Sequence, residues 1–349
     1  MKKIKLSTFE KLLSDNDLKS LKDNLVKIKT KFENSSSGSV IYVTLNGKSG
    51  KISSEYLLNE IDQIIKTYTL ERSRYYLKRL IKSIKEEKKG RINDLNLNRW
   101  KEYDDIFTDS LWILKKRDRS GEHKASYWGN FIPQIPNQLL RRYTKKGEWV
   151  LDTFLGSGTT LIECKRLGRN GIGIELLENI AKSAKKTIEK ETDKKGIIAE
   201  IINADSSELD YKKEFKRFGI KSVQFLLMHP PYWDIIKFSK KKNDLSNVKN
   251  IDEFLRLFGK IVDKTYPLID KGRYFALVIG DKYSKGEWIP LGFYTMQEVL
   301  KRGYKLKSVI VKNFDETKGK MSQKELWRYR ALAGGFYIFK HEYIFLFKK

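Results

Sequence analysis

Two short segments of the chain carry residue types and spacings that could do chemistry. The first is Asp152-Thr153-Phe154-Leu155-Gly156-Ser157-Gly158-Thr159-Thr160, which follows an apolar run and opens a helical pattern. Glycines at such a position let the backbone turn tightly and approach a ligand closely. The second is His229-Pro230-Pro231-Tyr232, in which two prolines fix the backbone as a rigid rim. Such a rim can offer the His229 and Pro230 carbonyls, with an aromatic face, to a planar amine.

Three carboxylates lie at the ends of successive predicted strands. Glu175 comes about twenty residues after the glycine turn, where an acid can accept both hydroxyls of a ribose. Asp205 follows the next strand and can accept from an adenine amino group. Asp152 precedes the turn, which would place its carboxylate near the tail of the ligand, where an amino-acid ammonium would pair with it. The three predict an adenosine pocket. The alternative, a dinucleotide enzyme, needs a third glycine that is missing from its usual place.

Strands and helices alternate from Trp149 onward, and this alternation must position both segments. The pattern predicts an α/β fold with a doubly wound, mainly parallel sheet, in which ligands bind at the carboxyl edge. The predicted strands cover 149–151, 171–174, 198–202, 223–228, 274–279 and 343–347, and the predicted helices cover 160–167, 180–189 and 251–266.

The first 110 residues have a different pattern. Apolar residues at helical spacing predict helices over 7–33 and 53–89, separated by a Ser-rich linker at 34–39 and a strand at 40–45. We therefore predict two domains: a mainly helical, basic N-terminal region at 1–110 and a catalytic domain at 111–349.

Composition narrows the class of protein further. The 349 residues include 71 Lys and Arg against 44 Asp and Glu, a net charge of +27. This excess suits a polyanionic partner, nucleic acid first and an anionic membrane second, although a Lys-rich proteome would also produce it. The single cysteine, Cys164, excludes a disulfide framework and a cysteine-based zinc site. No apolar run approaches the ~20 residues of a membrane span, so we expect a soluble, cytoplasmic protein.

The two segments together resemble the amino-group DNA methyltransferases of restriction-modification type, which modify adenine N6 or cytosine N4. Residues 152–160 resemble their cofactor motif, and 229–232 their catalytic tetrad, which usually begins with Asp, Asn or Ser. Phe131-Ile132-Pro133-Gln134-Ile135-Pro136 resembles the segment that covers the methionine end of the cofactor. Gly280-Asp281 and the terminal residues 341–347 resemble later motifs of the family.

The resemblance implies a class I, Rossmann-like fold with S-adenosyl-L-methionine as cofactor and no metal. Its implied catalytic residues are His229, Pro230, Pro231 and Tyr232. Its implied cofactor-binding residues are Phe131, Pro133, Asp152, Phe154, Gly156, Ser157, Gly158, Thr159, Glu175 and Asp205. The implied reaction methylates a base flipped out of double-stranded DNA, with adenine N6 slightly favoured, and leaves room for a cognate restriction endonuclease. The alternatives are an RNA base-amine methyltransferase and an inactive nucleic-acid-binding module.

DNA recognition is harder to place, because the cofactor motif precedes the catalytic tetrad here, unlike the commonest relatives. One candidate is residues 1–110. The other is a predicted mobile loop at 312–336, where Lys324, Trp327, Arg328 and Arg330 combine cations with an aromatic ring. The alternative interpretation is a solvated basic loop with Trp327 packed inward.

Overall fold

The computed structural model describes residues 2–33, 39–45, 48–123, 127, 129–192, 196–314 and 324–349. They form two compact units, Met1–Arg91 with Leu95–Ile106, and Ile92–Asp94 with Phe107–Lys349. Within these ranges, no helix has the length and apolar character needed to cross a membrane. Most of the predicted linker, at 34–38, lies outside the described residues.

The N-terminal unit packs helices on a small sheet. Strand β1 pairs in parallel with β2, which pairs antiparallel with β3. Side chains from the sheet and the helices share one core, including Leu25, Ile41 and Leu77. The elements are β1 (Lys3–Lys5), α1 (Leu6–Lys11), α2 (Leu18–Glu33), β2 (Val40–Leu45), β3 (Lys48–Ser53), α3 (Ser54–Ile65) and α4 (Leu70–Lys85).

Both long helices predicted in this unit are interrupted, so those two predictions are wrong in their continuity. The predicted helix over 53–89 is α3 and α4, and the one over 7–33 is α1 and α2. The Thr69 side chain accepts a hydrogen bond from the backbone N–H of Arg72. A Thr at this position satisfies one of the unpaired donors at a helix start, and it begins α4 there. Apolar periodicity continues across the break and therefore hides it.

The C-terminal unit is built on an eight-stranded sheet in the order β4-β12-β13-β9-β8-β5-β6-β7. Its elements are β4 (Leu111–Trp112), α5 (Gln134–Tyr143), β5 (Trp149–Asp152), α6 (Thr159–Leu167), β6 (Asn170–Glu175), α7 (Glu178–Lys190), β7 (Ala199–Asn203), α8 (Tyr211–Arg217), β8 (Val223–Met228), α9 (Ile251–Thr265), β9 (Ile269–Ile279), β10 (Lys282–Ser284), β11 (Glu287–Ile289), α10 (Leu291–Leu300), β12 (Lys305–Asn313), α11 (Lys324–Gly334) and β13 (His341–Lys348).

The predicted doubly wound, mainly parallel α/β fold is confirmed. Strands β7, β6, β5, β8 and β9 are parallel, and only β13 pairs antiparallel with both of its neighbours. The chain runs outward from β5 through β6 to β7, then returns to place β8 on the other side of β5. This reversal of strand order is the point where open α/β sheets bind ligands.

The central strands are buried on both faces. Leu151, Leu226 and Met228 belong to the core on one face, whereas Val150 and Phe225 belong to the core on the other. A sheet covered by helices on both sides is built from such continuous apolar strands. Polar groups that leave these strands at their carboxyl ends are thus held on a rigid base.

Candidate active site

A cavity of about 710 Å³ opens at the carboxyl edge of the sheet, at the ends of β5, β6 and β8. The glycine turn after β5 lines one part of it, and residues 229–232 after β8 line another. A cavity of this size is in the range of small-molecule and cofactor sites. The two segments singled out in the sequence therefore share one site.

The glycine turn requires glycine at two positions. Gly156 and Gly158 have φ of +56° and +89°, in the left-handed region that other residues rarely adopt. A Cβ on Gly158 would lie 2.8 Å from Cδ1 of Ile188 in α7, and one on Gly156 would lie 3.2 Å from the Tyr127 ring. Both the backbone conformation and the packing around the turn therefore exclude a side chain.

Asp152 braces this turn from beneath. Its Oδ2 accepts a 2.6 Å hydrogen bond from Thr160 Oγ1, and its Oδ1 accepts a 2.9 Å bond from the backbone N–H of Phe154. Burial raises the pKa of Asp152 to about 6, because the charged form is desolvated. The carboxylate is 1% exposed and does not line the cavity.

Glu175 and Asp205 both line the cavity. Glu175 accepts from the backbone N–H of Gly156 at 2.9 Å and of Leu177 at 2.8 Å, and burial raises its pKa. Asp205 accepts from Ser207 N and from the Asn243 side chain, each at 2.7 Å. Carboxylate oxygens accept more than one hydrogen bond each, so both residues can still accept from a ligand.

These residues fit S-adenosyl-L-methionine, which carries a ribose, an adenine and a cationic tail. Two carboxylates with free acceptor capacity lie beside a glycine turn. In addition, Thr153 Oγ1 is buried in the cavity wall and has no hydrogen-bond partner among the residues that the structure describes. An unpaired buried hydroxyl of this kind is uncommon, and a ligand would satisfy it.

Of the ten predicted cofactor-binding residues, six line the cavity and four, Pro133, Asp152, Gly158 and Thr159, do not. The lining residues are Phe131, Phe154, Gly156, Ser157, Glu175 and Asp205. Of the others, Pro133 caps the start of α5, and Thr159 Oγ1 donates to Asn130 at 2.7 Å. Sequence reasoning missed Tyr127 and Asn243, because both lie in loops without a recognisable motif.

All four residues of the predicted catalytic tetrad line the cavity. The His229 ring lies 4.9 Å from the Phe131 ring, measured between centroids. Burial lowers the pKa of His229 to about 4, so its ring is neutral at physiological pH. A neutral imidazole has one acceptor nitrogen, whereas the protonated ring has none.

Tyr232 is held in place by two features outside the tetrad. Its hydroxyl donates a 2.6 Å hydrogen bond to Glu342 Oε2, and Glu342 Oε1 lies 3.1 Å from Lys312 Nζ. Its ring lies against Gly280, where a Cβ would come within 2.8 Å of Tyr232 Cε2. Glu342 lies within the terminal residues 341–347 that resemble a later motif of the family, but nothing in the sequence pairs it with Tyr232.

The predicted loop over 312–336 contains a helix, so that prediction is wrong. Residues 315–323 lie outside the described residues, Lys318 and Lys320 among them, and α11 follows. Gly334 ends this helix and Gly335 has a φ of +65°, an arrangement typical of helix ends rather than of a mobile loop.

Helix α11 also carries the predicted DNA-binding residues. Trp327 is half-buried and lines the cavity, with the Arg330 guanidinium 5.2 Å from its ring centroid. Arg328 and Arg330 are exposed, and the Lys324 side chain lies outside the described atoms. The helix therefore places one aromatic ring in the cavity wall and two exposed cations near that ring in the sequence.

The fold and the site are those of a methyltransferase that uses S-adenosyl-L-methionine, and comparison with known families agrees with this class. The chain belongs to the N6_N4_Mtase family, described as DNA methylase, which matches residues 11–186. This range includes the glycine turn and Glu175. Family membership confirms the resemblance to amino-group methyltransferases, and S-adenosyl-L-methionine is the methyl donor.

Individual relatives are similar over shorter stretches. Type II methyltransferase M.MjaII of Methanocaldococcus jannaschii is 27% identical over 212 residues, which cover 58% of this chain and 32% of the relative. Type II methyltransferase M2.DpnII of Streptococcus pneumoniae is 39% identical over 102 residues, 28% of this chain and 34% of the relative. The chain thus spans about a third of the length of these curated relatives.

Proposed function

We propose that the chain methylates the exocyclic amine of a DNA base, with adenine N6 slightly favoured over cytosine N4. The observation that carries this proposal is the shared cavity, lined by the glycine turn and carboxylates at one part and by residues 229–232 at another. The family description, DNA methylase, supports the same reaction.

The chemistry depends on making a poor nucleophile reactive. The lone pair of an exocyclic amine is delocalised into the ring. The Pro230 carbonyl and the neutral His229 ring would accept hydrogen bonds from its two N–H groups and so localise that lone pair on nitrogen. S-adenosyl-L-methionine, when bound, supplies an electrophilic methyl group on a sulfonium. Once methylated, the nitrogen would carry a positive charge and would release one of its protons to solvent. Positioning within the cavity then provides most of the rate enhancement.

The target base must leave the duplex to reach this cavity, at a cost of a few kcal/mol. The Tyr232 ring provides a face on which the base stacks, which offsets part of that cost. Trp327 and Phe339 line the same cavity and supply further aromatic surface. These rings support a flipped base as the substrate.

Double-stranded DNA is the proposed partner, and the cytoplasm is the proposed location. The Type II names of the relatives support a cognate restriction endonuclease as a second partner in the cell. We retain a target-recognition role for the basic N-terminal region as a proposal, together with α11.

Removing either cavity carboxylate is expected to weaken cofactor binding. Glu175→Ala and Asp205→Ala each remove a carboxylate that accepts hydrogen bonds from a buried polar ligand. Losing such a hydrogen bond costs ~1–3 kcal/mol, or about 5- to 150-fold in Kd. Calorimetric titration of S-adenosyl-L-methionine measures this change directly.

A matched control is Glu189→Ala, which removes an exposed carboxylate from α7 outside the cavity. Its cofactor affinity is expected to equal that of the unmodified protein. Unchanged affinity in both Glu175→Ala and Asp205→Ala would contradict the assignment of this pocket to the cofactor.

Neutralising the cations of α11 is expected to weaken DNA binding. The double variant Arg328→Ala, Arg330→Ala should lower affinity and reduce the slope of log K against log salt by roughly one unit for each phosphate that the protein no longer neutralises. Fluorescence anisotropy with duplex DNA at several salt concentrations measures both quantities, while cofactor affinity should stay the same.

The control for net charge is Lys185→Ala, Lys186→Ala, which removes two exposed cations from α7. This variant should keep most of the salt slope. If the α11 variant binds DNA with the unmodified slope, recognition lies elsewhere, and residues 1–110 are the next region to test.

A further inference from the structure

A buried ion pair between β12 and β13 lines the cavity. Lys312 in β12 and Glu342 in β13 are directly opposite in the antiparallel register, with side chains only 6% and 10% exposed. Burying two charges is expensive, and such a pair is weak evidence for a stabilising role. Its position next to Tyr232 points instead to a role in the site.

The ion pair sets the direction of the hydrogen bonds that reach His229. Tyr232 has one hydroxyl proton, and the hydroxyl donates it to Glu342 Oε2 at 2.6 Å. The same hydroxyl oxygen lies 3.2 Å from His229 Nε2. With its proton committed to the carboxylate, Tyr232 can only accept from His229. His229 Nε2 therefore carries the hydrogen, and Nδ1 is left as the acceptor.

We propose that Glu342, anchored by Lys312, is a positioning residue that holds His229 in the tautomer whose Nδ1 accepts a hydrogen bond from the target amine. This inference rests on the proposed function. Nδ1 is separated from Cα by the same number of bonds as the acceptor oxygen of an asparagine side chain. We call the chain of hydrogen bonds from Glu342 through Tyr232 to His229 the relay. The relay gives a histidine the acceptor that Asp or Asn provides at the start of similar tetrads.

The other groups around His229 do not compete with Glu342 for the Tyr232 proton. The ring faces Phe131 on α5's N-terminal side and Tyr232, with Glu342 and Lys312 acting on it through their charges. Glu342 is the only one of these that can accept the Tyr232 proton. Removing its charge should therefore reverse the relay.

The test is Glu342→Gln, followed by nitrogen-15 NMR of labelled histidines in the free protein. Lys312 still requires an acceptor, so the Gln oxygen is expected to face Lys312 and its NH₂ to donate to Tyr232. Tyr232 then donates to His229 Nε2, and the hydrogen moves to Nδ1. The chain has three histidines, and His229→Asn identifies the resonance of His229.

Kinetics provide the second measurement. Glu342→Gln should lower kcat by about 10- to 100-fold with the cofactor KM unchanged, because the variant removes an acceptor for the reacting amine and leaves the cofactor end intact. If Glu342→Gln does not fold, Tyr232→Phe serves instead. It removes the acceptor of Nε2–H and should yield a mixture of His229 tautomers.

The matched control is Tyr343→Phe. Tyr343 follows Glu342 in β13, and its hydroxyl makes a similar pair of hydrogen bonds outside the relay, to His341 at 3.1 Å and Asp281 at 3.3 Å. The variant should change neither the His229 tautomer nor kcat. His229 carrying its hydrogen on Nδ1 in the unmodified protein, or keeping it on Nε2 in Glu342→Gln, would overturn the proposal. Absence of methyl transfer by the unmodified protein would instead overturn the proposed function, which the NMR result does not require.

Discussion

Tyr232→Ala is expected to abolish methyl transfer while leaving cofactor binding unchanged. The variant removes the ring on which the flipped base stacks in the proposed reaction, and an aromatic–base contact is worth ~1–3 kcal/mol. It also removes the hydroxyl that links His229 to Glu342. Misplacing a reacting group by about 1 Å can alone cost 10²-fold, so we expect a loss in kcat of at least about 100-fold. Single-turnover methylation of duplex DNA measures this loss.

Tyr232→Phe separates the two contributions of this residue. It keeps the stacking ring and loses only the hydroxyl, so its activity should lie between those of the unmodified protein and Tyr232→Ala. Calorimetry of S-adenosyl-L-methionine binding shows whether the cofactor end is intact in each variant. Full activity in Tyr232→Ala would rule out a role of Tyr232 in holding the base.

His229→Leu is expected to cost about 100-fold or more in kcat, and His229→Asn considerably less. Leucine fills a similar volume but accepts no hydrogen bond, whereas the asparagine side chain retains an acceptor oxygen. Losing one preorganised polar interaction with a reacting group typically costs 10²–10³ in rate. The comparison at saturating cofactor and DNA isolates the acceptor. Equal activity of the two variants would mean that the His229 side chain is structural.

The activity of the unmodified enzyme should depend on pH through the protonation of the same acceptor, the His229 ring. From the residue type alone, activity should fall below about pH 6.5, because protonated imidazole cannot accept. Burial lowers the pKa of His229 to about 4, so the fall is expected near pH 4, and His229→Asn should lack it.

Protonation of His229 also changes the stability of the folded protein, so stability must be measured separately from activity at each pH. Because the folded pKa of His229 lies below its unfolded value, the unfolded chain binds more protons between pH 4 and 6.5. The stability linked to the neutral ring is therefore complete above about pH 6.5 and is lost as the pH falls toward 4. Circular dichroism at each pH separates unfolding from loss of catalysis. A kinetic pKa near 6.5 in the folded enzyme would contradict the burial of His229.

The sequence could predict the parts of the site that follow directly from local pattern. The apolar strand before the glycine turn and the strand before His229 are each continuous in the chain with the residues that they position. Parallel strands also bring their carboxyl ends to the same edge, so Glu175 and Asp205 could be expected beside the turn.

The sequence could not predict contacts that depend on antiparallel register. Lys312 and Glu342 meet because β12 and β13 pair with these two residues opposite each other. Neither motif nor spacing reveals such a pair across thirty residues, and β12 itself escapes prediction because its alternating lysines resemble an exposed segment. Asp152 lies beneath the glycine turn and not in the cavity wall, where the sequence pattern predicts it. The sequence could not predict this burial, because it depends on how Thr160 packs against the carboxylate.

The error at α11 has a compositional cause. Glycines at 319, 334 and 335 and many cations predict a loop. However, residues 324–333 consist mostly of good helix formers, and Gly334 and Gly335 mark the end of that helix rather than a mobile segment. Helix boundaries in the N-terminal unit are hidden similarly, since Thr69 caps a helix within a continuous apolar pattern.

The central claim is that this chain methylates the amine of a DNA base, and one measurement tests it most directly. Purified protein is incubated with duplex DNA or with RNA in the presence of isotopically labelled S-adenosyl-L-methionine, and the nucleosides are separated by mass spectrometry. We predict label in N6-methyladenine from DNA, lost in Tyr232→Ala, with N4-methylcytosine as the other amine product of the same chemistry. Label found in RNA alone, or in neither nucleic acid with cofactor bound, would contradict the account.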